Sequence, residues 1–156
     1  MKIRKVSLNN RKRQIQVTTA SGKVYPFPYA KLSPKPTSGD KILDIFVDKE
    51  LGNEAFTYVL KSGKEGSVHI EQVLEYNQDP TYLRDLLLYK LTLEAIKHVE
   101  RSGLSRRELA RRLGTSVTQL YRLLNTSNTR KSMNQLVSLL HVLGCEVEVT
   151  VTDKAA

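Results

Sequence analysis

The sequence predicts an α+β chain. A small N-terminal antiparallel β-rich domain over residues 1–79 is followed by a helical domain over residues 80–156 that ends in a β-strand. Three observations carry this reading. Seven of the ten Phe and Tyr residues, four of the five prolines and five of the eight glycines precede residue 80, whereas the remainder is rich in Leu and Arg. Short runs of alternating apolar and polar residues in the first half are punctuated by turn residues, the pattern of half-buried strands. Asp79-Pro80 is a helix start, with an Asp side chain to cap the first N–H groups and a proline whose missing N–H costs nothing at the first helical position.

Six strands are expected in the first domain, over residues 2–8, 14–18, 23–27, 41–47, 54–60 and 68–70, arranged as an antiparallel meander. Ser21-Gly22, Gly52-Asn53 and the segment from Ser62 to Gly66 supply turns. The stretch from Lys23 to Tyr29 interleaves aromatics with Pro26 and Pro28. It reads as an edge strand, because a proline cannot donate to a ladder on both sides; a stacking surface for nucleic acid is the other reading.

The long helix from Pro80 should run to Arg101 and stop at Gly103. A capping pattern follows, Ser105-Arg106-Arg107-Glu108, in which the serine accepts from the Glu108 N–H and the glutamate reaches back. Leu109, Ala110 and Leu113 give the next short helix an apolar face, and Gly114 ends it. Ser116-Val117-Thr118-Gln119 repeats the capping pattern only two residues later, and Leu120 and Leu123 supply the buried side of a helix over residues 117–124. Short helix, tight glycine turn, short helix is the helix-turn-helix plan, with Ala110 small enough for the two helices to cross closely.

The segment LSRRELARRLGTSVTQLYRLL resembles the Cro/cI (Xre-like, lambda-repressor-like) helix-turn-helix family. Leu104, Ser105, Leu109, Ala110, Leu113, Gly114, Ser116, Leu120 and Leu123 match its pattern in kind, and Ser132-Met133 with Leu136-Val137 match the helix that closes its core. The resemblance covers residues 81–144 and implies a lambda-repressor-like domain that binds double-stranded DNA as a homodimer, with a regulator of antitoxin type as the favoured subtype and a toxin protein as partner of the β-rich domain. It departs from the family at Arg106, where glutamine is common, and at Val117 and Leu124, where polar residues are usual.

Charge points the same way. The chain carries a formal +9, and between Arg101 and Lys131 eight basic residues face the single acid Glu108. The expected DNA-binding residues are Arg106, Ser116, Val117, Thr118, Tyr121, Arg122, Arg130 and Lys131, with Arg106, Arg130 and Lys131 on phosphate and the exposed face of residues 117–124 on base edges. Six basic residues among the first thirteen are a second candidate for phosphate contact. At the other end, Val147, Val149 and Val151 share one face of an alternating segment, and a lone strand after a helical bundle needs a ladder partner. Pairing with the same strand of a second copy would make a C2 dimer; pairing with the N-terminal sheet is the alternative.

Other chemistries find no foothold. His69, His98 and His141 lack metal-ligand spacing, Cys145 stands alone, and neither a glycine-rich phosphate loop nor a nucleophile elbow is present. A non-enzyme without cofactor or metal is expected. No apolar run approaches the ~18 residues of a membrane span, and the basic N-terminus is not followed by the apolar stretch of a secretory signal, so the expected location is the cytoplasm. Two alternatives to a DNA-binding repressor remain: a protein-interaction module whose helix-turn-helix no longer reads DNA, and a regulator that senses a small ligand in its β-rich domain.

Overall fold

The computed structural model describes residues 1–153. It contains six antiparallel strands in two sheets followed by five helices, in two compact units that meet within one helix: the first ends at Leu83 and the second begins at Arg84.

In the first unit β1 (Ile3–Asn9), β2 (Gln14–Thr19) and β3 (Val24–Pro28) form one three-stranded sheet. β4 (Ile42–Val47), β5 (Ala55–Leu60) and β6 (Glu65–His69) form another. The single meander expected from sequence is thus divided, and the break falls in the loop between β3 and β4, where Pro34 and Pro36 interrupt any ladder. β3 is an edge strand. Its alternation sends Tyr25 and Phe27 inward, opposite Val17 and Ile15 of β2. β5 is the central strand of its sheet and is buried along nearly its whole length. The two sheets share one apolar core, in which Phe27 meets Phe56 edge to face at 6.4 Å.

α1 (Ile70–Tyr76) was not expected from sequence. It starts directly from β6 without a turn. His69 is its N-cap, with Nδ1 accepting from the Glu71 N–H (3.2 Å) while Gln72 Oε1 accepts from the His69 N–H (2.9 Å). Ile70, Val73 and Leu74 fill the core, Tyr76 packs edge to face on Phe27 at 5.7 Å, and Asn77 Nδ2 donates to the Pro26 carbonyl on β3 (2.9 Å).

α2 (Pro80–Ser102) starts where the sequence places it. Asp79 is buried; Oδ2 accepts from the Tyr82 N–H (3.1 Å) and Oδ1 from the Tyr25 hydroxyl (2.8 Å). In the second unit the rest of α2 packs with α3 (Arg106–Leu113), α4 (Val117–Leu124) and α5 (Met133–Val142). Its core is aliphatic: Leu88, Ala95, Val99, Leu109, Ala110, Leu120, Leu123, Leu136, Leu139 and Leu140 are all buried.

The C-terminal segment does not join either sheet of its own chain. Among the described residues, those from 145 to 153 take no strand pairing, and Val149 and Val151 are 86% and 89% exposed. Alternation alone cannot make a strand; it needs a ladder, and neither sheet of this chain supplies one. Among the described residues no helix is long and apolar enough to cross a membrane.

Candidate nucleic-acid interface

α3 and α4 are each held by a serine cap. Ser105 Oγ accepts from the Glu108 N–H and Ser116 Oγ from the Gln119 N–H, both at 3.1 Å. Only that half of the first capping box forms. Glu108 turns its carboxylate along the helix to Arg111 (2.9 and 2.6 Å) and Arg112 (2.9 Å), and these two guanidinium groups hold it down to about 2. Between the helices Gly114 sits at φ +75°, a left-handed conformation that a side chain would strain, and the Thr115 N–H closes the turn on the Ala110 carbonyl (2.9 Å). Ala110 is buried at this crossing.

The short turn orients α4, and its sequence divides the helix into two faces. Leu120 and Leu123 are buried, and Val117 and Leu124 are half-buried against the same core. The opposite face presents Thr118, Gln119, Tyr121 and Arg122 to solvent, with Tyr121 58% exposed. Thr118, Tyr121 and Arg122 are therefore available, as expected. Val117 is not an open reader; its methyl groups belong largely to the core. Ser116 is occupied as a cap. Arg106, the first residue of α3, is half-buried.

The loop after α4 is tied down at both ends. Asn128 Nδ2 donates to the Arg122 carbonyl (3.2 Å), Asn128 Oδ1 accepts from the Arg130 N–H (3.0 Å), and Arg84 on α2 donates to the Thr129 carbonyl (2.8 Å). Lys131, expected on phosphate, points inward instead. Its ammonium donates to Thr92 Oγ1 (2.9 Å), the Leu123 carbonyl (2.9 Å) and the Asn125 carbonyl (2.6 Å). Burial lowers its pKa, and its three N–H donors are all engaged. Lys131 thus locks the C-terminus of α4 to α2, while its neighbour Arg130 stays exposed.

Arg122 and Arg130 line a cleft of about 480 Å³ together with Gln119, Asn128, Asn134 and Gln135. The amides there were not singled out from sequence. In the sequence Gln119 reads only as part of a capping pattern, and Asn134 and Gln135 carry no reading of their own. Their signal was the amide chemistry itself, since Asn and Gln form paired hydrogen bonds with adenine as Arg does with guanine. Val147, Val149 and Val151 lie outside this arrangement, on the exposed C-terminal segment. Among the described residues no group of His, Cys, Asp or Glu could hold a metal ion.

No curated protein and no solved structure matches the chain. Residues 97–151 match a family model described as a helix-turn-helix domain, about a third of the chain. The matched segment takes in the end of α2 and all of α3, the Gly114 turn, α4 and α5, and it is similar to helix-turn-helix domains of the Xre/Cro-like type.

Proposed function

We propose that this protein is a sequence-specific DNA-binding transcriptional regulator, a repressor, that places α4 of each protomer of a homodimer in the major groove. The observation that carries the reading is the division of α4: Leu120 and Leu123 anchor it in the core, and Thr118, Gln119, Tyr121 and Arg122 are left outside with donors, acceptors and an apolar ring edge. That is the complement needed to discriminate base pairs in the major groove. The start of α4, where Ser116 caps the Gln119 N–H, is the positive end of the helix and attracts phosphate, and the exposed Arg107, Arg122 and Arg130 add sequence-independent attraction.

Within this reading the protein is an antitoxin in the cytoplasm, with its β-rich unit holding a toxin protein; resemblance to antitoxin-type regulators supports that subtype. Co-expression with the product of the neighbouring reading frame tests it: a stable complex through the β-rich unit is expected, and the absence of one removes the antitoxin subtype.

The test of the DNA reading compares the double variant Thr118→Ala, Tyr121→Ala with Arg130→Ala on a selected cognate duplex and a random one. The double variant should lose the preference for cognate DNA, at ~1–3 kcal/mol per base contact. Arg130→Ala should weaken both duplexes alike. A folded double variant that keeps its specificity ratio would show that α4 is not the reader.

A further inference from the structure

The first unit contains a pocket of about 290 Å³ on the side of the β1–β2 turn, closed by the residues that lead into β4. Its inner wall is apolar, made by the buried ring of Tyr29, the buried Pro36 and part of Ile42. Its rim carries two cations, Arg13 and Lys41, and the hydroxyls of Thr37 and Ser38. No carboxylate lines it.

The local structure holds these groups in place. Arg13 sits at φ +52°, and its carbonyl accepts from the Tyr29 N–H (3.0 Å), which fixes the turn that carries its side chain. The Tyr29 hydroxyl donates to Asn10 Oδ1 (2.8 Å), so the Asn10 amide nitrogen remains as a donor. Thr37 and Asp40 pair through both backbone N–H groups at 3.1 Å, making a tight loop around Ser38 and Gly39. Asp40, the acid closest in sequence to Lys41, is turned away: both of its oxygens accept from Ser62, one from the N–H and one from the hydroxyl, each at 2.8 Å. Among the described residues neither Arg13 nor Lys41 forms an ion pair.

We infer that this pocket binds a small organic phosphate, with Arg13 and Lys41 on the phosphate and the body of the molecule against Tyr29 and Pro36. Two uncompensated cations at one cavity favour a dianion over a single carboxylate, and Arg supplies a fork of donors while Lys supplies a point charge. The hydroxyls and the free Asn10 amide complete a donor-rich rim. The apolar wall has no role for inorganic phosphate, so the ligand carries carbon. The volume of about 290 Å³ lies just below the ~300–1,000 Å³ common for ligand sites, which limits the ligand to a small molecule. The same cations could instead meet a phosphate of a nucleic-acid backbone, and the experiment separates the two.

The full chain is titrated calorimetrically with adenosine monophosphate, glycerol phosphate, adenosine, inorganic phosphate and a random-sequence DNA duplex. Arg13→Gln and Lys41→Gln are compared with wild type after thermal melts establish that each is folded. Both side chains are exposed and make no internal bond, so at least Lys41→Gln, at an ordinary backbone conformation, will keep the fold. Saturable binding of at least one of the two esters is expected, one per chain, weakened about tenfold or more in each folded variant, with adenosine and inorganic phosphate binding much less tightly. The inference is overturned if neither ester binds, if inorganic phosphate binds as tightly as the esters, or if the variants leave ester affinity unchanged. It is equally overturned if the variants weaken only the duplex, which would assign the two cations to a nucleic-acid backbone.

Discussion

Lys131 and Arg130 are adjacent and both basic, yet the fold gives them different tasks. The Lys131 ammonium is bound by three internal acceptors, whereas the Arg130 side chain extends from the braced loop into solvent. Lys131→Ala should therefore destabilise the second unit by ~1–3 kcal/mol, because Thr92 Oγ1 and two carbonyls lose a charged donor. Arg130→Ala should leave stability unchanged within ~0.5 kcal/mol. Urea unfolding of the two variants checks the contrast, and equal stabilities would refute the locking role.

Tyr25 and Asp79 form a second pair with a measurable signature. Burial and the Asp79 carboxylate raise Tyr25 to about 12, while the Tyr82 N–H and the Tyr25 hydroxyl hold Asp79 below the usual carboxylate range. The signs differ. Stability from Tyr25 is complete below the unfolded value near ~10 and is lost as pH rises through about 12. Stability from Asp79 is complete above ~4 and is lost as pH falls through its lower folded value. Tyr25→Phe should cost ~1–3 kcal/mol at neutral pH, and the difference from wild type should shrink above pH ~10. Chemical unfolding across pH tests this, and a difference that is constant to pH ~12 would contradict it.

At the scale of elements, what was legible in sequence had local causes. α3 and α4 could be read because Ser105, Gly114 and Ser116 mark their ends and Leu120 and Leu123 mark the buried side. The six strands could be read from alternation between turns. α1 escaped because it has seven residues, follows β6 without a break, and is capped by His69 in place of the usual Ser, Thr, Asp or Asn. Lys131 was misassigned because its partner Thr92 lies on another helix, and residue type alone does not disclose a distant acceptor. The C-terminal segment shows the same limit: its alternation is local but its ladder would be nonlocal, and within one chain it takes no strand pairing. That segment still offers Val147, Val149 and Val151 to a second copy, and pairing between protomers is part of the proposed homodimer. Val149→Pro removes a ladder donor and an apolar side chain. It should shift the protein toward monomer in sedimentation equilibrium; an unchanged dimer would place the contact elsewhere.

The whole molecule joins a β-rich unit with its own core to a helical unit whose basic residues cluster around a helix-turn-helix. The charge is unevenly used. Glu108 is committed to Arg111 and Arg112, and Lys131 is internal, which leaves Arg101, Arg107, Arg122 and Arg130 as exposed cations with no ion pair among the described residues. Neutralising phosphates with such groups releases condensed counterions, so affinity must depend on salt. With ~3–5 phosphates met by each protomer, a dimer engages ~6–10, and log K should fall with log salt at a slope of about −5 to −9. Fluorescence anisotropy of a labelled duplex, titrated with the full chain from low to physiological salt, measures this directly. A steep linear decrease in that range is the result expected of a helix-turn-helix dimer on DNA; a flat affinity, or no binding at low salt, would contradict the DNA-binding account.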